Sequence, residues 1–288
     1  MRLFSNKLPR CPRPVATVAC VAQFFFLSIA DAADNIGPLP SSALDQAMLS
    51  DCDALARPYG DYQQEVWSAI DALDRLGVFA PEEFRNVRIG ICDLRSQNGP
   101  VATTSCERNT ILLDEKYEND ASQFSLVSTL AHEMKHVLQH AVKKEQYGDV
   151  YCSSDQYVRD KDALERDADA FSVAVEKIAF LGRPVEIENT CPSAVEVYVD
   201  GESVRFEEPD SYQIVSVKPN TTISANATST SKSIQYYAAT TLSDGLRRYW
   251  RGGGEERIID GVRHQLAPVD LETSARASGS FVLRVHCD

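Results

Sequence analysis

Histidine is scarce in this chain, with five in 288 residues, yet three of the five fall between positions 132 and 140. The other two, His264 and His286, stand too far apart to build a second histidine cluster. No Cys-x-x-Cys pair occurs, which removes zinc knuckles and thioredoxin-type redox sites from consideration. Cations are under-represented, 29 Lys and Arg against 42 Asp and Glu for a net charge of −13, so nucleic acid and anionic membrane surfaces are poor partners. Internal repeats and long low-complexity runs are also missing; only Asn220 to Lys232 forms a notable polar stretch. An apolar run of the ~20 residues that a membrane helix needs does not occur either.

The apolar run that does occur, Val15 to Ala30, follows a basic start (Arg2, Lys7, Arg10, Arg13) and precedes the small residues Ala30-Asp31-Ala32. This order reads as a secretory signal, residues 1–32, cleaved after Ala32. The mature chain then carries 25 Lys and Arg against 41 Asp and Glu, a balance of −16. A secreted or periplasmic location follows, with no stable membrane span after cleavage. Six cysteines remain, and an even number in an exported chain reads as three disulfides with fifteen possible connectivities. Cys92 with Cys106, and Cys191 with Cys287, are the expected partners from their places near strand ends.

A length of 288 residues sets a prior of about two domains. Helical spacing predicts one helix over Leu44 to Ala56 and another from Asp61 to Gly77. Val87 to Cys92 and Thr110 to Asp114 alternate as strands, with a turn at 97–100 between them. The edge of the strand just before the next helix is a place where an extended peptide can pair, main chain to main chain. A helix follows over about 121–142, with Asp120-x-x-Gln123 as capping box. A polar loop is expected over Lys143 to Asp160, then a long helix to Leu181, ended by Gly182 and Pro184. From Val185 short alternating runs replace helices: 195–199, 203–206, 212–217, 234–237 and 281–285. Asp200-Gly201 and Asp260-Gly261 are placed as hairpin turns. The expected class is therefore α+β, with a small all-β sandwich over 184–288, assigned to binding or targeting, after a domain over 33–183.

The chemistry gathers in the helix over 121–142. His132-Glu133-x-x-His136 puts two imidazoles one turn apart on one helical face, where both can reach one metal ion. Glu133 then sits beside the metal without binding it, placed to take a proton from a metal-bound water. Catalytic zinc takes three protein ligands and keeps a fourth position open. The third ligand must come from elsewhere, and Glu165 in Leu164-Glu-Arg-Asp-Ala-Asp169 is the candidate. Asp169, four residues on, shares its face and can accept from a ligand imidazole. Of the nearby acids Asp160, Asp162 and Asp167, several read as simple surface charges, Asp162 and Asp167 as solvated charges on other faces of the helix, and His140 as a polar residue near a helix end.

His132-Glu133-x-x-His136 followed by Glu165-x-x-Ala168-Asp169-x-Phe171 resembles the gluzincin group of zinc metallopeptidases, over roughly residues 120–182. The resemblance implies a zincin-like metallopeptidase domain. It also implies Zn²⁺ held by His132, His136 and Glu165, with Glu133 as catalytic base and Asp169 supporting a histidine. The expected activity is hydrolysis of peptide bonds in a peptide or protein substrate by a Glu-activated, zinc-bound water. No oxyanion donor is assigned; Tyr147, Tyr151, Tyr157 and His140 are all available. The rival reading is a non-enzymatic exported binding protein on a zincin scaffold, with zinc structural or absent, and it leaves Glu133 without a task.

Overall fold

The computed structural model describes residues 52, 54–94, 101–115, 123–206, 214–242, 245–259, 261–274 and 279–287. The signal segment, most of the helix expected over Leu44 to Ala56, the turn at 97–100, and Asp120 of the capping box lie outside the described residues. So do residues 212–213 of an expected strand.

What is described is a mixed α+β protein. Helix α1 (Gln64–Arg75) buries Val66, Ala69, Ile70 and Leu73 along one face. Three strands follow: β1 (Arg88–Cys92), β2 (Ala102–Ser105) and β3 (Thr110–Asp114). They lie in the order β1-β3-β2, with β1 parallel and β2 antiparallel to β3. Strand β3 is buried at every position, as its place in the middle demands. The strand preceding the site helix is therefore paired on both sides, and the outer position expected of it belongs to β2. Four small, half-polar residues, Ala-Thr-Thr-Ser, give β2 too little alternation to be read from sequence.

Helix α2 (Gln123–Tyr147) runs five residues past its expected end, and a 3-10 turn (Asp149–Ser153) leads into helix α3 (Asp155–Leu181). The loop expected over Lys143 to Asp160 is thus mostly helical. Its polarity reflects an exposed helix end, and Lys143 and Tyr151 both bond Asp160 Oδ2, at 2.7 and 3.1 Å, to close the corner. Ser154 caps α3 by accepting from the Tyr157 amide. Ile70 and Leu73 of α1, Ile111 and Leu113 of β3, Leu130 and Met134 of α2, and Val175 and Ile178 of α3 share one core.

The bridges are Cys52–Cys92, Cys106–Cys152 and Cys191–Cys287. The expected Cys92–Cys106 pair is not formed, and the parallel pairing explains why. Cys92 lies opposite Asp114 at one end of the sheet, while Ser105, next to Cys106, lies opposite Thr110 at the other.

Beyond α3 the chain is all strand. Strands β4 (Arg183–Asn189), β5 (Val195–Asp200), β6 (Val204–Phe206), β7 (Val215–Val217), β8 (Thr221–Ser229) and β9 (Ser233–Thr241) come first. Strands β10 (Arg247–Trp250), β11 (Glu256–Ile259), β12 (Val262–Gln265), β13 (Ala267–Asp270), β14 (Glu272–Thr273) and β15 (Phe281–Val285) complete it. One sheet runs β14-β15-β4-β8-β6; another runs β10-β9-β5-β7 with β13 beside β9. Val185, Ile187, Phe281 and Leu283 of the first sheet share a core with Val195, Val197 and Ile234 of the second. Where Asp260-Gly261 is expected as a hairpin turn, β11 and β12 pair with Ile259 opposite Val262 and Gly261 at φ 75, while Asp260 lies outside the described residues. Asp200-Gly201 does not join a hairpin, because β5 and β6 belong to different sheets. First and last strands β4 and β15 are parallel neighbours ending side by side, which brings Cys191 and Cys287 together.

Only Gly182 separates α3 from β4. A Cβ there would lie 2.9 Å from the Ser229 carbonyl carbon. Arg183, fully buried, donates to the carbonyls of Leu76 (2.8 Å) and Gly279 (3.0 Å), tying α1's end to the sheet. Lys232 adds an ion pair to Asp74 at 2.7 Å. Among the described residues no helix is long and apolar enough to cross a membrane.

Candidate metal centre

Helix α2 is unusual in what it buries. Leu130, Ala131, Met134 and Val137 face the core, yet His132, Glu133, His136, Gln139 and His140 are buried as well. Buried polar groups persist only when they are partnered or occupied. The Nε2 atoms of His132 and His136 stand 3.0 Å apart. Glu165 Oε2 reaches in from α3, 3.2 Å from His136 Nε2 and 3.5 Å from His132 Nε2. A tetrahedral ion with 2.0–2.1 Å bonds separates neighbouring ligand atoms by about 3.3 Å. The three observed separations bracket that value, so this donor set fits one small divalent cation. Two imidazole lone pairs aimed at each other also repel unless a proton or a cation lies between them.

The far side of each ring is held. Asp169 Oδ1 lies 3.3 Å from His132 Nδ1. Gln139 Oε1 lies 2.8 Å from His136 Nδ1, while Gln139 Nε2 donates to Leu164 O (3.1 Å) and Asp167 Oδ2 (2.8 Å). Those two acceptors fix the amide's orientation, since only its nitrogen can donate to them. The amide oxygen therefore faces His136 and accepts from Nδ1–H, leaving Nε2 bare for a metal. Lys135 completes the chain with an ion pair to Asp167 at 3.0 Å. Asp167 is exposed, as expected of a solvated charge, but it is also partnered and braces the imidazole of His136 through Gln139. Burial opposes its ionisation, but Gln139 and Lys135 outweigh burial and hold its pKa below the usual carboxylate range. Gln139 escaped the sequence reading, although it lies three residues from His136, on the same helical face.

Glu133 stands beside the donor set and outside it. It is 5% exposed, and Thr104 Oγ1 of β2 lies 2.6 Å from its Oε2. Burial raises the Glu133 pKa, against the lowering effect of His132, His136 and Thr104. Glu165 moves the other way: hydrogen bonds from His132 and His136 hold it well below the usual carboxylate range. Two carboxylates in one site are so pushed apart, one toward proton acceptor and one toward permanent anion.

His140 is not the helix-end residue expected. It is buried, its ring lies 5.9 Å from that of His136 and nearly parallel to it, and Tyr157 meets it edge-on at 5.8 Å. Burial first, then His136 and Lys144, push its pKa down to about 4, so it stays neutral. Tyr151 is fully buried and committed to Asp160, and Tyr147 stacks on Tyr151 at 5.8 Å. Of the four oxyanion candidates, Tyr157 and His140 stand beside the cluster. Burial, and then the charge of Glu165, raises the Tyr157 pKa and keeps its phenol a donor.

The geometry brings His132, His136 and Glu165 together, with Asp169 against His132 and Glu133 alongside. The chain matches no family model, no curated protein and no solved structure.

Proposed function

We propose that this chain is an exported zinc metallopeptidase of the gluzincin type, with His132, His136 and Glu165 as ligands and Glu133 as general base. The observation that carries the reading is a buried carboxylate placed beside a three-donor cluster but not among its donors. A site that only stores a metal has no need of it. When bound, zinc supplies a Lewis acid that polarises a carbonyl and acidifies water. The chain's residues do the rest. Glu133, its affinity for a proton raised by burial, accepts one as the peptide carbonyl is attacked and returns it to the leaving amine. Tyr157 and His140, which stand beside the cluster, are the donors proposed for the negative charge that develops on the carbonyl oxygen.

Strand β2 fits the substrate's main chain. The Asp114 amide donates to the Val101 carbonyl, so odd-numbered residues of β2 face β3. The amides and carbonyls of Ala102 and Thr104 then point away from β3, the side on which an extended peptide would pair. The β-sandwich over 184–288 serves binding or targeting in this reading.

Metal analysis of the mature chain should find about one zinc, removable by chelation. Glu133→Gln should keep zinc and fold while peptide hydrolysis drops by about 10²–10⁴, the usual contribution of a positioned base. Hydrolysis at the wild-type rate in that variant would place the activity elsewhere.

A further inference from the structure

Glu133 is gripped by a residue outside both motifs. We infer that Thr104 is its positioning residue, a hydroxyl on the outer strand that fixes which carboxylate oxygen is free to accept a proton. The inference rests on the peptidase reading above. A threonine hydroxyl has one proton to give. Glu133 Oε2 lies at 2.6 Å and the Glu133 carbonyl at 3.1 Å, and the shorter contact is the length of a charge-assisted O–H···O⁻ bond. With Oε2 taken, Oε1 is the oxygen left bare. Threonine suits this because its β-branch leaves few side-chain rotamers in a strand. The strand is itself held on one side by β3 and two residues on by Cys106–Cys152.

A base oriented by a third group is the logic of nucleophile–base–orienter sets generally. Here the orienter sits on the strand whose outward main chain is offered to substrate. The side chain of Thr104 leaves the face of the sheet while its own amide and carbonyl lie along the sheet's edge, and in this reading both serve the same event. A purely architectural role is the competing account, since the hydroxyl also touches the Glu133 carbonyl and joins β2 to α2.

The full mature chain with Thr104→Val, Thr104→Ser and Glu133→Gln separates these. Zinc affinity and melting temperature should change little in Thr104→Val, because no ligand is touched. With a quenched peptide library, kcat should fall about ten- to a hundredfold, within the contribution of a positioned base, at nearly constant KM. Thr104→Ser, which keeps the hydroxyl, should recover most of it. Wild-type kcat in Thr104→Val, equal losses in valine and serine variants, or a loss confined to KM would each overturn the inference. A second readout does not depend on turnover. In ¹³C-glutamate-labelled protein the Glu133 carboxylate resonance, assigned by its loss in Glu133→Gln, should shift in Thr104→Val and return in Thr104→Ser. An unmoved resonance refutes the contact. If wild type and Glu133→Gln are equally inert, the peptidase reading fails and the resonance alone decides the role of Thr104.

Discussion

Replacing Gln139 by Leu tests the least expected part of the metal centre. The change keeps bulk in a buried position but deletes one acceptor and two donated bonds: His136 Nδ1 at 2.8 Å, Leu164 O at 3.1 Å and Asp167 Oδ2 at 2.8 Å. His136 then loses the partner that keeps its proton on Nδ1, and the tautomer that turns Nε2–H toward the metal becomes accessible. Partners of ligating imidazoles typically contribute about 10–100-fold in metal affinity, or about 1.4–2.7 kcal/mol. We expect the upper part of that range, because Gln139 also links α2 to the turn of α3 that carries Glu165. Asp167→Asn should cost less, about threefold to tenfold, since an asparagine oxygen still accepts from Gln139 while the Lys135 ion pair is lost. Gln139→Glu is the sharper control. It keeps an acceptor for His136 but sets a carboxylate against Asp167 and the Leu164 carbonyl. Competition titration against a fluorescent zinc chelator ranks the three variants. Zinc binding within about twofold of wild type in Gln139→Leu would show that His136 needs no such brace.

Other expectations are simpler. Glu165→Ala should lower zinc affinity more than Asp169→Asn, because it removes a ligand atom and not a ligand's support; the same titration reads both. Asp160, whose pKa is lowered first by the Lys143 hydrogen bond, contributes stability present above its unfolded value of about 3.9 and lost as pH falls through the folded one. The melting-temperature gap between wild type and Asp160→Asn should therefore close below about pH 4, and a gap that widens in acid contradicts the sign. Arg183→Leu strands buried carbonyl acceptors at the junction and should destabilise the chain by on the order of 3 kcal/mol in urea titration. Peptide mapping without reductant should recover Cys52–Cys92, Cys106–Cys152 and Cys191–Cys287.

The parts of this molecule legible in its sequence are those governed by spacing along one element. His132 and His136 share a face because four residues make about one turn, and Glu165 with Asp169 repeats the rule on α3. Cys191 and Cys287 were accessible for a related reason: Cys191 lies just before the strand read over 195–199 and Cys287 just after the one read over 281–285. What stayed hidden depends on how elements meet. The parallel pairing of β1 with β3 decides that Cys92 and Cys106 lie at opposite ends of the sheet, and periodicity carries no sign of strand direction. Thr104 belongs to a strand of four small residues that no hydrophobic pattern announces. The partnering of Asp167 stayed hidden because Gln139 and Lys135 come from another helix.

The Cys106–Cys152 bridge spans a sequence separation of 46, and the stretch it closes contains β3 and all of α2 with His132, Glu133 and His136. The chain's exposed corner at Glu145 to Val150, including Gly148, lies inside that ring. A protease cutting at Gly148 opens the ring without releasing either arm, since the new ends stay joined through sulfur. In the proposed peptidase role, among other peptidases and copies of itself, the bridge makes a nick at this exposed corner survivable: both motif helices remain on one covalent body until the disulfide itself is reduced.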